Sequence, residues 1–118
     1  MQNEFAQILD FIHEIEKLKL VERKIRVKEH GRLENSAEHN WQIALLALSL
    51  VPYSHTEVDA LKVVTMLLLH DIVEIDTGDK FAYHESHDDF ENELAAAKRI
   101  FALLPDKQHQ EFLALWEE

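Results

Sequence analysis

The sequence predicts an all-α fold, a helical bundle of about five helices that forms a single domain over residues 1–118. The chain has only two Gly and two Pro, so long uninterrupted helices are favoured over strands joined by tight turns. Hydrophobic residues make up 47% of the chain and recur mainly at steps of three and four, the spacing of a helix face. A length of 118 residues leaves room for one modest core and no second domain.

The first two helices follow from apolar spacing and from capping residues. Over about the first 18 residues, apolar side chains step by three and four at Phe5, Ile8, Ile12 and Ile15. Asn35, with Glu38 three residues later, is an Asn variant of the capping box and predicts a helix over about 36–50, with Trp41 in the core. Pro52 ends that helix, and the mixed-charge segment that leads up to Leu33 is predicted to be a connecting loop or a short irregular stretch.

Three further helices complete the predicted bundle. Thr56 is the predicted N-cap of a third helix, which is apolar on nearly all sides over 63–69 and is expected to be central and buried. Gly78 is expected to end this helix in a left-handed turn. A fourth helix is predicted to start near Phe90, a residue expected in the core or in a dimer contact, and Asp106 is expected to cap a fifth.

Composition and charge limit the partners of the protein. The formal net charge of −11 disfavours a nucleic acid polymer or an anionic membrane, although the basic segment VERKIRVKEHGR could hold a small anion. The sequence has neither a signal-peptide pattern nor a membrane span, and it has no Cys, so we expect a cytoplasmic protein. Without thiolates, any metal site must use His and carboxylate ligands.

The segment LLLHDIVEIDTGD places a carboxylate at the end of a strongly apolar run. An ionised Asp71 out of water is costly unless it is paired or binds a cation. One interpretation is a structural pair with His70 or a nearby Arg, or a solvated helix end. The other is a metal site, because Glu74 lies on the same helix surface and His39 lies in the first turn of another helix. Such imidazole and carboxylate ligands suit Mn, Co, Fe, Ni or Zn.

Two segments together carry a family resemblance. RLENSAEHNWQIALLAL, followed about 30 residues later by LLLHDIVEIDTGD, resembles the HD-domain superfamily of metal-dependent phosphohydrolases, in the branch that includes the 5′-deoxynucleotidases. The resemblance implies an HD-domain bundle that binds a divalent transition metal and hydrolyses a small phosphomonoester, such as a (deoxy)nucleoside 5′-monophosphate. It implies that His39, His70 and Asp71 are three of the four metal ligands. It also implies that Glu74 orients or deprotonates the attacking water and that Asp79 contacts the sugar.

The chain departs from this family in two places. Its basic segment lacks the Trp that helps to hold the nucleotide in the deoxynucleotidases, and the family's final Asp ligand lies beyond the equivalent of Trp116. We therefore expect a C-terminally shortened domain. Arg32 and Arg26 are predicted to contact the substrate phosphate, and the alternative for both is a solvated loop charge. The apolar face near Leu115 and Trp116 predicts a homo-oligomer, such as a dimer.

Three functions remain open from the sequence. The first is a metal-dependent phosphohydrolase. The second is a degenerate HD module that binds metal or nucleotide without turnover, since the fourth ligand is missing. The third is a helical interaction protein in which His70 and Asp71 form only a structural pair. Metal content and hydrolysis of phosphomonoesters distinguish the three functions.

Overall fold

The computed structural model describes residues 3–27, 31–78 and 87–118, and it confirms the all-α class. The α-helices are α1 (Glu4–Ile15), α2 (Ser36–Leu50), α3 (Ala60–His70), α4 (Glu74–Thr77), α5 (His87–Phe101) and α6 (Asp106–Glu117). Two short antiparallel strands are β1 (Glu22–Arg26) and β2 (Leu33–Asn35), and 3₁₀ turns follow α1 (Glu16–Leu20) and α2 (Val51–Tyr53). Five of these helices correspond to the predicted five, and the short α4 is additional.

The segment predicted to be a loop between the first two helices contains the strand pair, so that prediction is wrong there. The strands pair with Glu22 opposite Asn35, and Gly31 before β2 has a φ of +72°, a left-handed conformation that glycine adopts without strain. Because β2 leads directly into α2, the pair brings Arg23 of β1 to Glu34 of β2 at the N-terminal end of that helix, where Arg23 Nε lies 3.3 Å from Glu34 Oε1.

Helix α2 begins as predicted, with a complete capping box. The Asn35 side chain accepts a hydrogen bond of 2.9 Å from the Glu38 backbone N–H. In return, Glu38 Oε1 accepts a hydrogen bond of 2.8 Å from the Asn35 backbone N–H. The two bonds satisfy donors that a helix start otherwise leaves unpaired. They also set the first turn of α2, which carries His39.

The N-cap of helix α3 lies three residues later than predicted. The cap is Asp59, whose side chain accepts a hydrogen bond of 3.1 Å from the Lys62 backbone N–H, and the prediction of Thr56 is wrong. Both residue types can cap a helix, so local preference could not separate them. In the folded chain the Thr56 backbone N–H instead donates to the Ser54 hydroxyl at 3.2 Å, within a local turn.

The predicted third helix is interrupted at the start of the candidate site. Helix α3 ends at His70, a buried turn covers residues 71–73, and Glu74 begins the separate helix α4. The expectation that His70, Asp71 and Glu74 share one continuous helix face is therefore wrong. The turn nevertheless keeps them close, because the Glu74 backbone N–H donates to the Asp71 carbonyl at 2.9 Å. Gly78, with a φ of +76°, ends α4 in the left-handed conformation that was predicted.

The core is formed mainly by α1, α5, α6 and the turn after α3. Three aromatic rings pack together here, and each pair of ring centroids among Phe11, Phe101 and the partly buried Phe112 is 6.3 Å apart. The buried side chains around them are Leu18, Leu69, Ile72, Val73, Ala96, Ala97, Ile100 and Leu104. On α5 the predicted spacing marks the core face, because Ala97 and Phe101 are 0% exposed. On α1 the prediction is only partly right, because Phe5 and Ile12 of the predicted stripe are 77% and 47% exposed and the buried residue is Phe11.

The outer sides of α2 and α3 are exposed, although the sequence predicted core positions there. Trp41 is 63% exposed, and Phe90 on α5 is 54% exposed, so neither is a core residue. The other large exposed apolar side chains of α2 and α3 are Leu45, Leu46, Leu48, Leu50, Leu61 and Leu68. These helices are apolar around most of their circumference, and packing against each other covers only one side. Within the described ranges, no helix is both long and apolar enough to cross a membrane.

Candidate active site

A cavity of about 350 Å³ brings together side chains from six parts of the fold. Arg23 comes from β1, Asp71 from the turn after α3, Glu74 from α4, and helices α5 and α6 form another wall. His70 at the end of α3 lies on the rim. Cavities of this size are typical of small-ligand sites. The residues converge here because the turn after α3 folds against both the strand pair and the last two helices.

His70 and Asp71 are paired within this cavity. Asp71 is 7% exposed, and its Oδ1 lies 2.8 Å from His70 Nδ1. The hydrogen bond to Asp71 raises the pKa of the His70 imidazole, whose side chain is 78% exposed. The pairing that the sequence left open as one interpretation is therefore present. It does not exclude a metal, because both groups are metal-ligating types.

Glu74 is joined to helix α2 by a contact that the sequence did not suggest. The Ser36 hydroxyl donates a hydrogen bond of 2.7 Å to Glu74 Oε1, and Ser36 is 0% exposed. The Ser36 backbone N–H also donates to the Val21 carbonyl at 2.9 Å, which fixes this residue from both sides. Serine at the first position of a helix is common, so only its spatial relation to Glu74 shows the role.

His39 lies outside the group formed by His70, Asp71 and Glu74, and it contacts a different carboxylate. Its Nδ1 lies 3.2 Å from Glu34 Oε1, and His39 does not line the cavity. Within residues 3–27, 31–78 and 87–118, no three His or acidic side chains are arranged to hold one metal ion. The fold thus brings His70, Asp71 and Glu74 into one cavity but does not assemble the predicted ligands around a point. Asp79 lies outside the described residues.

The predicted phosphate contacts Arg32 and Arg26 do not line the cavity. Arg32 is exposed and makes a bidentate ion pair with Glu38, with nitrogen to oxygen distances of 2.7 and 2.9 Å. Arg26 is also exposed, and its guanidinium donates to the Gly31 carbonyl. Both side chains are therefore used in stabilising the strand pair and the start of α2.

Arg23 is the arginine that lines the cavity. It belongs to the basic segment of the sequence, but it was not one of the predicted phosphate contacts. Its Nε lies 3.3 Å from Glu34 Oε1, but the geometry is not that of a hydrogen bond. This buried Nε finds no hydrogen-bond partner among the described residues. Only the pairing of the strands, a long-range feature, turns Arg23 rather than its neighbours toward the cavity.

Arg99 of α5 connects helix α4 to α1 through hydrogen bonds to two carboxylates. Its Nε and Nη2 each donate to one oxygen of Asp76 at 2.8 Å, and Nη2 also donates to Glu14 Oε2 at 2.7 Å. These partners raise the pKa of Arg99, and the Arg99 hydrogen bond lowers the pKa of Glu14. The cluster ties α5 to α4 and α1, and Asp76 is two residues after Glu74.

The model of the HD-domain family matches residues 15–118, which is most of the chain. The chain therefore belongs to the HD-domain family, and the family resemblance predicted from the two segments is confirmed.

Two relatives are informative. The chain is 29% identical over 116 residues to a 5′-deoxynucleotidase from Shewanella oneidensis, a match that covers 90% of this chain and 58% of that protein. It is 44% identical to a predicted metal-dependent phosphohydrolase from Magnetospirillum magnetotacticum, whose crystal structure matches with a TM-score of 0.91 over 99% of this chain and 60% of that one. The chain thus spans less than two thirds of the length of either relative.

Proposed function

We propose that this chain provides the HD-domain part of a metal-dependent phosphohydrolase that acts on a small phosphomonoester. The proposed substrate is a (deoxy)nucleoside 5′-monophosphate or a related nucleotide. The observation that carries the proposal is the cavity in which Asp71, Glu74 and His70 meet Arg23. Carboxylates, an imidazole and a guanidinium in one cavity can hold a cation and a phosphate together. The description of the Magnetospirillum relative as a metal-dependent phosphohydrolase supports the reaction class. The description of the Shewanella relative as a 5′-deoxynucleotidase supports the nucleotide substrate.

The proposed cofactor is a divalent transition metal, one of Mn, Co, Fe, Ni or Zn, held by His39, His70 and Asp71. The donor types fit such an ion. His39 fits in a second respect, because a carboxylate near Nδ1, here Glu34, leaves Nε2 for a metal. The burial of the Asp71 carboxylate also favours a bound cation. When bound, the ion supplies positive charge that polarises the phosphoryl group and lowers the pKa of a water ligand.

Glu74 is the proposed proton acceptor for the attacking water. The hydrogen bond from Ser36 orients its carboxylate within the cavity, and a carboxylate in that position can accept or relay one proton. Arg23 is the proposed phosphate contact, because its planar guanidinium can donate two parallel hydrogen bonds to phosphate oxygens. Arg32 and Arg26 stay predictions from the sequence, as does the contact of Asp79 with the sugar.

Metal content is the first test of this proposal. Wild type, Asp71→Ala and Asp71→Asn are dialysed extensively, and their metals are measured by mass spectrometry, followed by phosphate release from nucleoside monophosphates. We expect about one transition metal per chain in wild type, lost in both variants, and hydrolysis only with metal. Asp106→Ala, at an exposed acidic residue that does not line the cavity, is the matched control. Metal-loaded protein without hydrolysis of any phosphomonoester would contradict the hydrolase.

A second candidate function is a degenerate HD module that binds metal or nucleotide without turnover. The observation that favours it is the lack of a three-ligand arrangement within the part of the chain that the structure describes. The same experiment separates the two functions, because the module retains metal or nucleotide and releases no phosphate.

We also propose that the protein is a cytoplasmic homo-oligomer, most simply a dimer. The absence of Cys supports the compartment. The exposed apolar faces of α2 and α3 support self-association, because contiguous apolar surface of this kind is costly in water. A second copy with the same face would bury both surfaces about a twofold axis.

A further inference from the structure

An aromatic pair forms part of the cavity wall opposite the acidic turn. Phe90 of α5 and Trp116 of α6 both line the cavity, and their ring centroids lie 6.4 Å apart with an angle of 17° between the ring planes. Phe90 is 54% exposed, and Trp116 is partly buried against the core. The two rings are therefore nearly parallel, with part of their aromatic surface turned to the cavity.

This pair differs from the aromatic residues of the core. Phe11, Phe101 and Phe112 pack against one another in tilted and edge arrangements, whereas Phe90 is outside that cluster. A half-exposed phenylalanine gives little stabilisation to the fold, since its apolar surface stays largely in water. Its position beside Trp116 is explained better by a flat ligand that covers it than by core packing.

Polar groups beside the pair suit a heterocyclic ring. Glu93 lies one helical turn after Phe90, Glu117 follows Trp116, and both line the same cavity. Carboxylates accept hydrogen bonds from exocyclic amino groups and from sugar hydroxyls, but they repel a phosphate. The charge distribution therefore places the phosphate of a ligand near Arg23 and an amino-bearing ring near α5 and α6.

We infer that Phe90 and Trp116 form the surface on which the base of the substrate nucleotide stacks. The inference rests on the proposed function and deepens it, because it assigns the substrate to phosphomonoesters that carry an aromatic base. Stacking on aromatic side chains tolerates different bases, since each base has a flat π face. An amino-bearing base such as adenine is the form that Glu93 and Glu117 would favour.

Tryptophan fluorescence tests the stacking directly, because the chain has only two Trp. In a Trp41→Phe protein the emission comes from Trp116 alone, and Trp41 is exposed on α2 away from the cavity. This protein, loaded with Zn²⁺, is titrated with 2′-deoxyadenosine 5′-monophosphate and in parallel with 2-deoxyribose 5-phosphate. We expect saturable quenching by the nucleotide and none by the sugar phosphate. Unchanged emission with the nucleotide would overturn the inference.

A second variant separates stacking from general binding. We expect Phe90→Ala in the same background to weaken nucleotide binding about 5- to 100-fold, the range found when a stacking side chain is removed. Phe5→Ala, at a phenylalanine that is 77% exposed on α1, is the matched control and should bind as the parent does. Equal affinities of the two variants would overturn the inference.

Phosphate release from the same samples distinguishes failure of the stacking inference from failure of the proposed function. Hydrolysis of both phosphomonoesters with equal efficiency, and with no response of Trp116, would keep the hydrolase and overturn the stacking surface. Quenching of Trp116 by the nucleotide with no phosphate released from either compound would keep the stacking surface and contradict the hydrolase.

Discussion

The Ser36 hydroxyl at the start of α2 donates a hydrogen bond of 2.7 Å to Glu74 Oε1 in α4. Ser36 is fully buried, so the bond is shielded from water. The contact joins the helix that carries His39 to α4, which directly follows the turn that carries Asp71. It therefore links the two halves of the candidate site, which are separated by more than one helix along the chain.

Replacing Ser36 by Ala should destabilise the fold. A hydrogen bond to a charged group contributes about 1.5–3 kcal/mol, and we expect a loss of that order in the free energy of unfolding, measured by urea denaturation. Ser49→Ala is the control, because the Ser49 hydroxyl donates to the Leu45 carbonyl at 2.8 Å on the exposed side of the same helix. The control should change stability by less than about 0.5 kcal/mol. Equal losses in both variants would contradict a stabilising role for the Ser36 contact.

Replacing Arg99 by Lys should loosen helix α4. Lysine keeps the charge but cannot make the two parallel hydrogen bonds to Asp76 together with the bond to Glu14. Because the arginine is partly exposed, we expect a loss of only about 1 kcal/mol in thermal or urea unfolding. Lys19→Gln, which removes a single exposed ion pair of 2.9 Å with Glu16, should have a smaller effect. A larger loss in that control would rule out the Arg99 cluster as the stronger contact.

The ion pair between Arg32 and Glu38 should make the stability of the fold depend on pH in the acidic range. The hydrogen bond from Arg32, with a further one from the Asn35 backbone, lowers the pKa of Glu38 from 4.5 to about 2. Since the folded-state pKa is the lower one, this carboxylate stabilises the fold above pH 4.5, and its contribution is lost as the pH falls toward about 2. The difference in unfolding temperature between wild type and Glu38→Gln should therefore shrink as the pH falls from 4.5 to about 2.

A double-mutant cycle checks the origin of this acid dependence. Arg32→Gln should reduce the acid-dependent part of the stability in the same way as Glu38→Gln. The double variant should lose less stability than the sum of the losses in the two single variants. Additive effects of the two substitutions would show that the residues stabilise the fold independently.

Arg23 and Arg32 should differ in their effect on substrate binding. If Arg23 contacts the phosphate, Arg23→Gln should raise the KM for a nucleoside 5′-monophosphate about 10- to 100-fold, as expected for loss of a charged hydrogen bond. Arg32→Gln should change KM less than about twofold, because Arg32 is exposed and paired with Glu38. The opposite order would return the phosphate contact to Arg32, the residue that the sequence predicted.

The exposed apolar face of α2 should mediate self-association. Trp41→Glu and Leu45→Glu place charge one helical turn apart on this face, and we expect each to convert a dimer to a monomer in light scattering. Leu20→Glu, at a residue that is 81% exposed in the turn after α1, should leave the dimer intact. A monomeric wild type at all concentrations would contradict the proposed oligomer.

The sequence by itself determined the features that depend on neighbouring residues. The capping box of Asn35 and Glu38 and the left-handed turn at Gly78 follow from side chains within a few positions of each other. The family was also recognisable, because each of its two segments is continuous in the chain. The pairing of His70 with Asp71 was one of the interpretations left open, since the two residues are adjacent in the sequence.

Only the tertiary structure decided which distant side chains meet. The break after His70, the contact of Ser36 with Glu74 and the choice of Arg23 over Arg32 all require segments that are far apart in sequence. Local preferences cannot report such contacts, because the same serine or arginine would suit a solvated position equally well. The cavity that unites the acidic turn, Arg23 and the aromatic pair exists only because the strand pair and the last two helices close around it.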